Sequence, residues 1–108
     1  LALVAYRTTP NVLALVNPAN GIECHEKLDF VFQFPCQTTV NLVIENNQEE
    51  VQVSTSIAKG AENYTVDVST LLPGRYYWKL FNDNNDFILG SFFIQKSLLP
   101  PKIANALT

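Results

Sequence analysis

The side chains with the clearest capacity for chemistry are few: two cysteines and a single histidine in 108 residues. Cys24-His25-Glu26 sets three potential metal donors in a row. Neighbours on an extended chain point to opposite faces, and Cys36 lies beyond the strand that follows. Zinc needs three or four convergent ligands, so the run predicts no metal site, and His25 reads as a solvated turn residue. Any Ser/His/Asp or Cys/His catalyst would have to use that same histidine, beside a turn with no nucleophile elbow and no oxyanion signature. No catalytic residue and no cofactor are expected.

Cys24 and Cys36 flank an apolar strand, Leu28 to Phe34. At about 3.3 Å per residue that strand is roughly 20 Å long, whereas the Cα atoms of a disulfide approach within about 7 Å. Free, buried thiols are therefore expected. A Cys24–Cys36 bridge would require the flanking segments to fold back, and an intermolecular link is the third alternative. Two cysteines do not decide the redox compartment.

Paired carboxylates could support glycoside hydrolysis, but the acids cluster at turns (Glu45, Glu49, Glu50; Asp83, Asp86), where solvated charge is ordinary. Asn82-Asp83-Asn84-Asn85-Asp86 is rich in oxygen donors yet lacks the alternating spacing and late bidentate Glu of a calcium loop. It reads as a hairpin turn. Asn63-Tyr64-Thr65 fits the N-glycosylation acceptor, which matters only in a secreted eukaryotic protein.

The length supports one core and hence one domain. With a net charge of -3 and few, scattered basic residues, no face can neutralise a run of phosphates, so neither nucleic acid nor an anionic membrane surface is an expected partner. No apolar run approaches the roughly twenty residues that cross a bilayer. The chain contains no Met, and its opening Leu1-Ala2-Leu3-Val4-Ala5-Tyr6-Arg7 reads either as the end of a removed membrane anchor or signal segment or as an ordinary first strand. The expected organisation is an N-terminal extension or edge strand over 1–11, a β-sandwich over 12–96, and a tail containing Pro100-Pro101 over 97–108.

Alternation with period two dominates. Val12 to Val16 is a short apolar run closed by Asn17-Pro18-Ala19-Asn20-Gly21. Leu28, Phe30, Phe32 and Phe34 share one face of a strand that Pro35 ends. Thr39 to Glu45 alternates and turns at Asn46-Asn47-Gln48 into Val51 and Val53. Tyr64 to Val68 follows, then Arg75 to Phe81, then Phe87 to Gln95, where Gly90 is placed for a bulge. About seven short strands separated by turn chemistry predict an all-β, antiparallel two-sheet sandwich.

Leu71-Leu72-Pro73-Gly74-Arg75-Tyr76-Tyr77-Trp78 resembles the tyrosine corner of fibronectin type III-like and related immunoglobulin-like modules. The Pro18-Ala19-Asn20-Gly21 opening is similar to the start of such modules in envelope proteins of Bacteroidetes. The resemblance covers roughly Val12 to Gln95 and departs in one respect: Thr39 to Glu45 carries no large aromatic, and Trp78 sits on the sixth strand instead. It implies that Pro73, Gly74 and Tyr76 form the corner, with the Tyr76 hydroxyl bonded back to the preceding turn. It also implies a non-catalytic, extracytoplasmic interaction or spacer module of a larger bacterial envelope protein, in the periplasm or at the cell surface, whose parent is membrane-anchored if a hydrophobic segment precedes Leu1.

If Tyr76, Trp78 and Leu80 point inward, Tyr77 and Phe81 point outward, and one of Phe92 and Phe93 does the same. With Phe93, Val31 and Val43 they would make an apolar patch on one sheet, a mark of a partner surface. Three uses of that surface stay open: covering by the chain's own termini, a protein partner or self-association, and a glycan stacked on Tyr77 or Phe81. The last would make the domain a carbohydrate-binding module.

Overall fold

The computed structural model describes residues 13–95; the expectations for 1–11 and for the 97–108 tail lie outside them. Eight strands follow in chain order: β1 (Leu15–Asn17), β2 (Ile22–Cys24), β3 (Lys27–Phe32), β4 (Val40–Glu45), β5 (Val51–Ile57), β6 (Asn63–Asp67), β7 (Gly74–Phe81) and β8 (Phe87–Ile94). They form two sheets, β1-β3-β6 and β2-β8-β7-β4-β5. The chain is thus the all-β two-sheet sandwich that its alternation predicts, with one further strand. That strand, β2, runs parallel to β8, while every other pairing is antiparallel.

The inner faces supply the core. Leu28, Phe30 and Phe32 of β3 meet Val40, Leu42 and Ile44 of β4 and Tyr76, Trp78 and Leu80 of β7, all buried. Across the gap between the sheets the Phe30 and Trp78 rings meet edge to face, centroids 5.3 Å apart at 87°, the geometry that the ring quadrupoles favour. On the five-stranded sheet Tyr76 stacks on its cross-strand neighbour Phe92 at 5.6 Å. Phe34 departs from the expected face. Strand β3 ends at Phe32, and Gln33 turns aside to donate its N–H to the Ala14 carbonyl, leaving Phe34 exposed.

Gly90 corrects a second expectation. The β7–β8 register runs unbroken through the pair Trp78↔Gly90, so no bulge forms there. The glycine is required because the Trp78 indole lies across it: a Cβ at position 90 would fall 2.2 Å from Cζ2 and 2.4 Å from Cε2 of that ring. Trp78 Nε1 is the buried side-chain polar atom without a hydrogen-bond partner among the described residues.

The two long hairpins close by one device. In the β4–β5 turn Asn46 Oδ1 accepts the Gln48 and Glu50 amides at 2.8 and 2.9 Å, and its Nδ2 donates to Glu50 Oε1. In the β7–β8 turn Asn82 Oδ1 accepts the Asn84 and Asp86 amides at 2.9 and 3.1 Å, and its Nδ2 donates to Asp86 Oδ2. Each loop has a residue at positive φ three positions after its asparagine, Glu49 and Asn85. An asparagine that bonds its own downstream backbone fixes the turn without help from the core.

Candidate functional site

Strand β7 divides its side chains by parity. Tyr76, Trp78 and Leu80 go into the core, while Arg75, Tyr77, Lys79 and Phe81 occupy the outer face of the five-stranded sheet. Strand β8 answers in register: Phe81 stands opposite Phe87, Lys79 opposite Leu89, Tyr77 opposite Ser91 and Arg75 opposite Phe93. On the far side of β7, Val43 and Glu45 of β4 stand beside Lys79 and Tyr77. The result is a solvent-facing cluster of Phe81, Phe87, Leu89, Tyr77 and Val43, with Phe87 64% and Leu89 58% exposed.

Lys79 sits in the middle of this cluster. Its Nζ pairs with Glu45 Oε2 at 3.2 Å, so the ammonium is held to one side and the aliphatic stem lies among the rings. Between Lys79, Phe81, Phe87 and Leu89 is an apolar hollow of about 350 Å³. A second groove of about 540 Å³ runs along Tyr77, Lys79 and Leu89 to Glu45, Asn46 and Glu49 of the β4–β5 turn. One end of the face is therefore apolar, and the other presents a tyrosine ring beside amide and carboxylate oxygens.

The five residues expected to share a surface do not all do so. Tyr77, Phe81 and Val43 are brought together. Phe93 belongs to the same face but is half-buried, with the Arg75 guanidinium 4.7 Å from its ring centroid, so a cation covers its apolar side. Val31 is on β3, opposite Asn63 of β6, and so faces solvent from the other sheet. Strand alternation gives inward or outward but not which sheet, and the expectation of a single patch is corrected for Val31 on that ground. Phe87 and Leu89 escaped the sequence reading although the signal was present. Once Phe93 faces outward, period two carries Ser91, Leu89 and Phe87 with it.

At the opposite end of β7, Tyr76 Oη donates to the Leu72 carbonyl at 2.7 Å, a hydrogen bond across the Pro73-Gly74 turn. Gly74 has φ 147°, backbone that a side chain rarely adopts. Asn20, in the turn before β2, accepts the Ser91 amide at 2.7 Å and the Ser91 hydroxyl at 3.0 Å, and Gly21 N–H donates to the Ser91 carbonyl. These bonds anchor β2 along the edge of β8.

Both thiols are buried and unbridged. Cys24 ends β2, and Cys36, in the loop after β3, donates its N–H to the Ala61 carbonyl. Burial raises both above the ordinary thiol value, with the Asp29 charge adding to the rise at Cys24 and a backbone hydrogen bond opposing it at Cys36. Neither has the depressed pKa of an activated nucleophile. Among the described residues no three of His, Cys, Asp and Glu gather where a metal ion could sit, and His25 is exposed in the bend between β2 and β3.

No family model matches the sequence, and no curated protein matches it. Among solved structures, the crystal structure of CopC from Methylosinus trichosporium OB3b aligns over 78% of this chain and 94% of that one, with a TM-score of 0.56 and 13% sequence identity. At that identity the likeness shows the fold, a two-sheet β-sandwich.

Proposed function

We propose that the domain is a non-catalytic interaction module, of the immunoglobulin-like, fibronectin type III-like sort, within a larger bacterial envelope protein, and that it works outside the cytoplasm. It engages a protein partner through the outer face of the five-stranded sheet. The observation that carries this reading is the placing of Phe81, Phe87 and Leu89 side by side on adjacent strands and open to solvent, because apolar side chains gathered at one outer face are what a recognition surface requires. The tyrosine-corner hydrogen bond supports the immunoglobulin-like assignment. The test is affinity capture from envelope extract with the wild-type domain beside a Phe87→Ser/Leu89→Ser variant. A protein retained by the first and lost by the second is the expected result, and identical captured sets would sink the proposal.

The Tyr77 groove favours a second reading, a carbohydrate-binding module, since a ring flanked by carboxylate and amide oxygens suits a sugar's apolar face and hydroxyls. Titration calorimetry with oligosaccharides decides it: heat seen with the wild type and lost in Tyr77→Ala selects the sugar, and no heat with either removes it.

A further inference from the structure

The sandwich has four sheet edges among the described residues: β1 and β6 in one sheet, β2 and β5 in the other. An edge strand presents unpaired N–H and C=O groups, and proteins blunt it by shortness, charge or proline. Three of these edges are blunted. Strand β1 is three residues long and runs directly into Pro18; β2 is three residues long and carries Glu23; β6 is five residues long and carries Asp67. Strand β5 is different. Its seven residues, Val51-Gln52-Val53-Ser54-Thr55-Ser56-Ile57, contain no charge, no proline and no glycine. Its irregular pairing with β4 is confined to the Val51/Val53 end, so Val53 to Ile57 is a regular ladder whose far side meets no described strand. Thr55 Oγ1, 3.4 Å from Tyr64 Oη of β6, ties this edge to the sheet behind it.

The sequence of the edge also names its occupant. Turned antiparallel against itself about Ser54, the regular part of the strand sets Ser54 opposite Ser54 and Val53 opposite Thr55, with Ser56 towards the Gln52 end of the second copy. Every pair then joins β-branched to β-branched or polar to polar, and no charge meets its like. Beyond the strand ends the same symmetry brings the turn that carries Glu49 towards the turn that carries Lys59 of the second copy, twice over, acid towards base. We infer that β5 is a self-pairing edge through which two copies of this chain join antiparallel across a two-fold axis, running their five-stranded sheets into one. The inference rests on the edge alone and stands apart from the partner face on β7 and β8.

Sedimentation velocity over a concentration series is the first test, with a monomer–dimer equilibrium expected for the wild type. Ser54→Lys places two ammonium groups on the axis and should weaken the dimer by more than about tenfold, with an unchanged circular dichroism spectrum. An equimolar mixture of Ser54→Lys and Ser54→Glu should restore it. The register is read by cysteine: Ser54→Cys should cross-link into a covalent dimer under oxidised glutathione, because that residue faces its own copy, while Ser56→Cys, set towards the Gln52 end of the second copy, should not. A wild type that stays monomeric throughout overturns the inference. So does a dimer indifferent to Ser54→Lys but lost in Phe87→Ser/Leu89→Ser, or equal cross-linking from positions 54 and 56. Partner capture dependent on Phe87 and Leu89 is unaffected by any of these results, so the two readings fail separately.

Discussion

The two faces of the β7–β8 hairpin are built from alternating residues of the same two strands, yet they are subject to opposite demands. The inner row, Tyr76, Trp78 and Leu80 against Phe92, Gly90 and Ile88, is packed so closely that one position has no room for a side chain. On the outer row, Tyr77, Lys79 and Phe81 against Ser91, Leu89 and Phe87, two large apolar groups stay more than half exposed. Burial of a large apolar side chain is worth about 1.5–3 kcal/mol, and the outer row leaves much of that gain unrealised in the isolated domain. The inner row specifies the fold, and the outer row is free to serve something else.

The comparison breaks most visibly at Gly90. Gly90→Ala forces a methyl group against a buried, rigid indole that Phe30 holds from the other side, and overpacking of this kind costs about 1–3 kcal/mol. Urea unfolding should show the loss as a lower midpoint with an unchanged slope. Tyr76→Phe comes next. It keeps the stacking on Phe92 but removes the donor to the Leu72 carbonyl, for about 1 kcal/mol, measurable in the same assay. Equal stability of the Tyr76→Phe variant and the wild type would reduce the corner to a packing contact.

The thiols give a smaller effect, one that develops at alkaline pH and has a definite sign. Burial raises both pKa values above the ordinary 9.0. Well below that value the thiols are protonated in the folded and the unfolded chain alike and contribute nothing. As the pH rises through it, the unfolded chain releases protons that the native state keeps, so stability falls towards alkaline pH. Unfolding midpoints at pH 8 and pH 10 should therefore separate more in the wild type than in Cys24→Ala/Cys36→Ala. Equal separation would assign the alkaline loss to other groups.

How much of this was legible in the sequence depends on the range of the interaction. The inward and outward sets of β3, β4 and β7 follow from local alternation and were readable. Strand β2 was not, because Ile22-Glu23-Cys24 is too short to show a period. It exists through bonds from Asn20 and Gly21 to Ser91, about seventy positions away in the chain, whose partner no local pattern specifies. Gly90 shows a different limit. A glycine within a strand marks either a bulge or a close approach, and only the register with Trp78 chooses between them. Val31 was misplaced because parity is local while sheet membership depends on strand order.

The smallest expected effect on the fold carries the most functional weight. Phe87→Ser/Leu89→Ser alters two side chains that make little use of burial, so its unfolding midpoint should stay within about 0.5 kcal/mol of the wild type. If the outer row instead stabilises the sheet through cross-strand contacts of Phe81 with Phe87, the same variant should lose about 0.2–1 kcal/mol per pair, and Phe81→Ser alone should reproduce part of that loss. The two outcomes sort the outer row differently. Unchanged stability with lost partner capture separates the work of the two faces, whereas lost stability makes the outer row an extension of the core. Exposure favours the first outcome, because a ring that is 64% open to solvent has most of its apolar surface still to be covered.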